Sequence, residues 1–285
     1  VNAYKLKKTN VKVVNVWCNK TKNIGDLVCS PSLYFQEYQR NSISLDIMSF
    51  QEYIGFQNKI IIVGGGGLLQ KYFEVPLTNI LKIAKKNKLV FWGVGLDNYV
   101  KEKSYTTLDK TNIFKIATRD FYDNTSYDYV PCPSCLSALF DLYINHQKIS
   151  SAYGLYLHRD YSEQIENDLS NVPSLYNHEA KTLNESLKFL SSRNIIITNS
   201  FHGLYWSTLL GKKVIVVPWI DKEGDIGFSH KFKSFKYKPY FLEDWSKYQS
   251  VSNLNNYVNA LKECRDINYE MHSYVQQLWH VKHDT

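Results

Sequence analysis

A chain of 285 residues, 44% of them hydrophobic, is long enough to bury a large core as one big domain or two modest ones, and its ordinary composition describes a soluble globular protein. A formal net charge of +7 favours anionic ligands, but the lysines are spread along the chain without a dense basic block, so nucleic acid is not an expected partner. Five cysteines, at 18, 29, 132, 135 and 264, make no disulfide framework, no stretch has the apolar length of a membrane span, and the first residues carry no signal-peptide core, which together point to a reducing cytosol.

In chain order, residues 11–16 (VKVVNV) predict the first strand, after Lys5, Lys7 and Lys8 of a basic stretch that reads as a solvated tail, with contact to a membrane surface as the alternative. The polar loop 19–26 (NKTKNIGD) follows, in which Gly25 lets backbone approach a ligand and Asp26 either caps the next helix, expected over 31–39, or holds a hydroxyl. Residues 59–63 (KIIIV) predict a second strand that runs into four glycines. Gly65, Gly66 and Gly67 there offer exposed amides suited to a phosphate or carboxylate. The run has neither a G-K-[ST] nor a spaced G-x-G-x-x-G, so it is not a nucleoside triphosphate or dinucleotide fingerprint. A helix over 77–86 leads to a strand over 89–92 that enters Gly93-Val94-Gly95. A further strand over 113–118 ends at Arg119-Asp120, where the Arg119 fork suits an anion in the same crevice, with an Arg119–Asp120 ion pair as the alternative. Cys132-Pro-Ser-Cys135 has no second metal-ligand pair and lies in mid-chain, so it reads as a loop with buried thiols leading into a helix over 136–142, with zinc or redox chemistry as the alternatives. No set of residues at metal-ligand spacing stands out, and no metal or cofactor is expected.

The polar run 145–151 places a boundary between a lobe of residues 1–148 and one of residues 149–262, with 263–285 returning toward the first lobe. Residues 153–157 (YGLYL) predict a strand that delivers His158 and Arg159 to the crevice, and residues 182–191 a helix with Leu183, Leu187 and Leu190 on one face. Residues 195–197 then form a buried strand, Thr198, Asn199 and Ser200 cap a helix over 201–210, and 214–217 is the next strand. His202 therefore stands in the first turn of a helix just past the carboxyl end of a strand, a natural anion site where an imidazole can move a proton near neutral pH. The loop 219–235 suits a lid, with His230, Lys231 and Lys222 as its anion-reaching groups. Two helices, over 251–264 and 268–280, close the chain. Glycine-bearing strand ends in both halves predict two α/β lobes facing a shared cleft.

NIGD near the start, IIVGGGGLL, FWGVGL, ATRD, ITNSFHGL and SHKFKSF occur in an order that resembles the polysaccharide pyruvyl transferases, from about residue 15 to residue 235. The resemblance implies a GT-B-like pair of Rossmann-type lobes with parallel sheets facing a central cleft, a cytoplasmic protein able to work at the inner face of the membrane, and transfer of pyruvate from phosphoenolpyruvate onto two hydroxyls of a sugar in a surface polysaccharide such as capsule or exopolysaccharide, the acceptor being a sugar or lipid-linked oligosaccharide. It implies His202 as acid/base and Arg119 with Lys231, or Lys222 in its place, as donor-binding cations. Gly65, Gly66, Gly67, Arg159, Ser200 and Gly203 would assist the donor, and Asn23, Asp26, His158 and His230 would serve the acceptor or a secondary role. Ser200 stands where many members carry Arg, and with a sugar acceptor implied, Trp206, Trp219 and Tyr237 are candidates to stack on its faces, a core role coming first for Trp206. The alternatives are a glycosyltransferase using a nucleotide sugar, with Glu179 or Glu185 for the ribose, and a catalytically inactive glycan-binding relative.

Overall fold

The computed structural model describes residues 11–278 except 41, 54, 97–107, 109, 123–125, 146–147, 159–161 and 221–225. Two parallel sheets organise it. The first runs through β1 (Val13–Trp17), β2 (Ser42–Asp46), β3 (Ile60–Gly64), β4 (Lys88–Val94), β5 (Ile113–Thr118) and β6 (Asp128–Tyr129), in the spatial order β2-β1-β3-β4-β5-β6. Its helices are the short α1 (Ile24–Leu27), α2 (Glu74–Lys82) and, past the sheet, α3 (Leu139–Asn145). The second contains β7 (Ser151–Leu157), β8 (Ser174–Tyr176), β9 (Arg193–Thr198), β10 (Lys213–Val216) and, after the small β11–β12 ribbon (Trp219–Ile220 with Ile226–Gly227), β13 (Tyr240–Phe241). Its order is β13-β10-β9-β7-β8, and its helices are α4 (Glu163–Asp168), α5 (Leu183–Ser191), α6 (Phe201–Leu209) and α7 (His230–Lys233). The last helix is α8 (Ala260–Leu278).

Strand residues are apolar on consecutive positions because both faces of each sheet are covered. Val14, Val16, Ile61, Val63, Leu89 and Phe91 pack with Leu77 and Ile80 of α2. The alternate residues Val13, Ile60, Ile62, Val90 and Trp92 pack with Met271, Val275 and Leu278 of α8. The second sheet repeats the device. Tyr156, Ile196, Val214 and Val216 meet Leu187, Leu190, Leu204 and Leu209 of α5 and α6 on one face. Leu155, Leu157, Ile197 and Ile215 meet Ile165, Leu169 and Trp245 on the other. Thr182 caps α5 by accepting from the Glu185 N–H.

Several elements differ from the sequence expectation, each for a local reason. Residues 31–39 form two 3₁₀ turns, Pro31–Leu33 and Gln36–Tyr38, because the extended Phe35 between them lets Phe35 and Tyr38 both reach His272 of α8; the Phe35 ring stacks on that imidazole at 3.9 Å. The helix expected over 77–86 begins earlier, at Glu74, since Pro76 is tolerated in a first turn, and it tightens to 3₁₀ over Ala84–Lys86. The helix expected over 136–142 starts three residues later, behind a 3₁₀ turn at Pro133–Leu136. The two closing helices are one, α8. Residues 251–257 carry no regular structure, and Ser252, Asn253, Asn255 and Asn256 there favour local side-chain bonds over a helix. No helix among the described residues is long and apolar enough to cross a membrane.

Candidate functional site

In each sheet the strand order reverses once, between β1 and β3 and between β7 and β9, and the crevice outside the carboxyl ends at such a point is where open α/β sheets bind ligands. A cavity of about 650 Å³ opens there, lined from both sheets. The first contributes Asn23 and Asp26 after β1, Gly67 and Gln70 after β3, and Arg119 after β5; the second contributes His158 after β7, Asn177 after β8, Ser200 and His202 after β9, and Trp219 and Lys231 beyond β10. Two hydrogen bonds cross between the halves at its edge: the Ile24 N–H donates to Asn177 O at 3.1 Å, and Asn177 Nδ2 donates to Asn23 Oδ1 at 3.2 Å.

Arg119 is 4% exposed and lies flat on the Phe201 ring, its guanidinium carbon 3.6 Å from the centroid. Its Nε and Nη1 have no hydrogen-bond partner. Room for the side chain comes from Gly95, where a Cβ would stand 2.3 Å from Nε. Asp120 does not hold those two nitrogens. Its carboxylate accepts from the Leu96 N–H (2.6 Å) and from Ser234 Oγ (2.7 Å), while the Phe121 and Tyr122 amides donate to Ser234 O. Ser234 closes α7, whose Lys231 is thereby docked to the end of β5. Lys231 Nζ sits 4.1 Å from the centre of the Trp219 ring, which His158 also covers at 4.8 Å, and the Trp219 indole donates to Asn199 O at 2.6 Å. Asn199 in turn receives the His158 N–H through Oδ1, at 2.9 Å, and fixes that strand end.

His202, on the first turn of α6, is 4% exposed, packed edge-on to Phe201 and tilted over Trp206 at 4.9 Å. Its Nε2 lies 3.6 Å from Cys132 Sγ. On the other side the ring rests over Gly25, where a Cβ would fall 1.9 Å from Nδ1. Burial, then the charges of Arg119, Lys231 and His158, push its pKa well below the ordinary 6.5, so the imidazole is neutral in the free protein.

The glycines act differently from the expectation. The Gly65 N–H is already committed to Trp92 O, and Gly66 accepts from the Gly95 N–H. Both have positive φ (+51° and +75°), and a Cβ at Gly65 would stand 2.2 Å from Cys29 O, so Gly65 lets the turn pass Cys29; of the three, Gly67 lines the cavity. At Gly203 a Cβ would lie 2.3 Å from Thr198 Oγ1, which makes it a packing position between α6 and β9. Ser200 lines the cavity and caps α6 by accepting from the Gly203 N–H. His230 opens α7 and is not among the lining residues. Arg159 and Lys222 lie outside the described residues. Of the three aromatic residues considered for sugar stacking, Trp219 lines the cavity; the Trp206 indole donates to Ser134 Oγ in the core, and the Tyr237 hydroxyl donates to Glu263. Glu179 and Glu185 also stand away, accepting from the Tyr176 and Lys181 amides. Cys132 and Cys135 are free, buried thiols held protonated by burial, and among the described residues no group of three His, Cys, Asp or Glu side chains is placed to hold a metal ion.

Sequence reasoning missed Asn177, Lys20, Lys71 and Tyr72, which line the cavity. Asn177 follows β8, a short strand with a weak pattern, whereas Lys71 and Tyr72 directly follow the glycine run and were within reach as its outer rim.

A crystal structure of a functionally uncharacterized protein from Klebsiella pneumoniae subsp. pneumoniae NTUH-K2044 is similar to this chain at 17% identity and a TM-score of 0.49, covering 84% of this chain and 95% of the other. A search of curated proteins gives no significant match. The model of the family described as polysaccharide pyruvyl transferase matches residues 2–221, from the tail before β1 through β11 and so including Arg119 and His202, and the chain belongs to that family.

Proposed function

We propose that the protein moves the pyruvyl group of phosphoenolpyruvate onto two hydroxyls of one sugar in a polysaccharide or its lipid-linked precursor, forming a cyclic ketal. On this reading the two lobes are a GT-B-like pair and the cavity is their donor site. The observation that carries it is Arg119: a buried guanidinium with two free donor nitrogens, beside a second cation and a neutral imidazole, is a receptor for a small dianion.

Phosphoenolpyruvate brings a phosphate and a carboxylate, and Arg119 and Lys231 are the groups to receive them. Burial first, and then their positive field, keep His202 neutral, and a bound dianion offsets that field and favours protonation of the imidazole. Transfer of that proton to the methylene carbon forms the methyl C–H bond and leaves cationic character on the adjacent carbon. One sugar hydroxyl adds there. The second hydroxyl forms the other C–O bond as the C–O bond to phosphate breaks, and the hydroxyl protons leave through the imidazole and the departing phosphate. One donor and one diol thus yield one ketal and one inorganic phosphate.

The test is incubation with phosphoenolpyruvate and a panel of hexosides and lipid-linked oligosaccharides, following phosphate and the mass of the acceptor. Phosphate released only with acceptor, together with a pyruvylated product, is the expected result. Turnover of a nucleotide sugar without use of phosphoenolpyruvate overturns it.

A further inference from the structure

Arg119 at the end of β5, Lys231 on α7 and His158 at the end of β7 are the charged or titratable groups that bear on His202 from across the cavity. The fourth neighbour is a thiol with no part in the reaction above. Cys132 belongs to the loop between β6 and α3, fully buried, and on that side Asp26, Cys29, Tyr34, Arg119, Cys135 and Tyr205 are ionisable groups that it meets.

The direction of its hydrogen bonds can be worked out from the far end. The Trp206 indole is a donor only, so Ser134 Oγ accepts from it at 3.0 Å. Ser134 is itself fully buried and has Cys132 Sγ, 3.2 Å away, as the acceptor for its own hydroxyl proton. The thiol keeps its proton because burial raises its pKa. Cys132 Sγ therefore accepts from Ser134 and has an S–H to give, and His202 Nε2 at 3.6 Å is there to take it. A neutral imidazole that accepts at Nε2 carries its hydrogen on Nδ1. Nδ1 is the atom that lies against Gly25, whose chain neighbourhood includes the cavity-lining Asn23 and Asp26.

We propose that Cys132 is a positioning residue for His202: the Trp206–Ser134–Cys132 chain selects the Nδ1–H tautomer, which leaves Nδ1–H as the ring's donor on the Gly25 side and Nε2, against the thiol, as its basic nitrogen. A thiol suits this place because it is neutral and works both ways. It gives S–H to Nε2 of the neutral imidazole, and once Nε2 is protonated it turns its own hydrogen aside and accepts the Nε2–H, so that the proton the imidazolium delivers, and later regains from a sugar hydroxyl, is the one on Nδ1. A carboxylate there would hold the ring as a permanent imidazolium, and a hydrocarbon would leave Nε2 bare. The consequence for turnover rests on the pyruvyl-transfer reading; the tautomer does not.

The experiment is ¹⁵N NMR of histidine-labelled full-length protein near neutral pH, with the His202 signals identified by their loss in His202→Gln. The expected spectrum of the unmodified protein has an unprotonated, acceptor-type Nε2 and a protonated Nδ1 for His202. Cys132→Ala is expected to mix or reverse the tautomers, and Cys132→Ser to restore them. In the transfer assay Cys132→Ala should lower kcat roughly tenfold, the size of one neutral hydrogen bond, move the acid limb of its pH profile and leave the donor KM nearly unchanged. Protonated Nε2 in the unmodified protein overturns the proposal whether or not the variants fold, and so does a Cys132→Ala spectrum identical to it. Correct tautomers without any pyruvyl transfer overturn the reaction and leave the positioning role standing.

Discussion

Replacing Gly25 with Ala sets two physical effects against each other. Gly25 sits in α1 with backbone that any residue adopts, and in a helix Ala is worth about 0.5–1 kcal/mol more than Gly. Local propensity alone therefore predicts a slightly more stable protein. The structure predicts the reverse, because the new methyl would stand 1.9 Å from His202 Nδ1, 2.5 Å from Cγ and 2.6 Å from Cε1. The imidazole cannot retreat: Trp206 lies behind one face, Phe201 meets it edge-on and Cys132 Sγ holds Nε2. The helix is tied too, by the Ile24 N–H to Asn177 O and the Gly25 N–H to Asn23 Oδ1. Forcing a methyl into such a place costs about 1–3 kcal/mol, so the net loss is about 1 kcal/mol, and Tm falls by roughly 2–4 °C for a chain of this size. Displacing the ring by about 1 Å is expected to cost on the order of 100-fold in turnover. Thermal melts followed by circular dichroism and the phosphate-release assay measure the two numbers. A variant that melts higher and turns over normally would mean that the imidazole does not rest on Gly25, and the proposed site would lose its geometry.

Arg119→Met removes a buried charge whose Nε and Nη1 bind nothing, so the variant should melt at least as high as the parent, lose the thermal shift given by phosphoenolpyruvate and show a donor KM raised at least tenfold; a loss of about 3 kcal/mol or more in urea unfolding would instead reveal a structural ion pair. Ser234→Ala takes a donor from the buried Asp120 carboxylate and loosens α7, costing about 1–3 kcal/mol and raising the donor KM through Lys231, a result to be read from melts and kinetics together. His202 has a folded pKa below its unfolded 6.5, so the unfolded chain binds more protons in the window between them; stability contributed by the neutral ring is complete above pH 6.5 and drains as pH falls through that window. Urea unfolding between pH 6.5 and 5, above the carboxylate range, should show that slope, and His202→Gln should flatten it; an equal slope in both proteins would refute the depressed imidazole.

The strands that proved easiest to read are those whose environment is the same on both faces. KIIIV and RNIIIT are continuous because α2 and α8, or α4 and α6, cover opposite sides, and burial on both faces leaves no polar phase in the pattern. The edge strands β2 and β8 were not legible for the converse reason. Ser42, Ser44 and Ser174 sit where one side meets solvent, and three to five residues of mixed character look like loop. The paired turns at 31–38 were hidden by a partner at the other end of the chain. Nothing in PSLYFQEY announces that Phe35 and Tyr38 must both reach His272, and that requirement, not propensity, keeps the segment from becoming one helix.

At the site the positions were legible and the purpose of the glycines was not. A strand end followed by Gly suggests exposed amides, but a glycine is equally a place where a distant side chain can lie, and only the fold tells which. Gly25 makes room for His202 and Gly95 for Arg119, each from a different part of the chain, so the glycines seat the two groups that face the cavity. The same comparison explains why Arg119 could be found early while a pairing with Asp120 stayed open as the alternative. Its neighbour in sequence looks outward along a different path, to Leu96 and Ser234, and spends its oxygens holding α7 against β5. That leaves a guanidinium out of water with two donors unspent. A cation desolvated in that way is costly to the protein, and on the proposed reading an anion in the cavity offsets that cost, which is why the free nitrogens of Arg119 say more about a ligand than the glycine runs that first drew attention to the crevice.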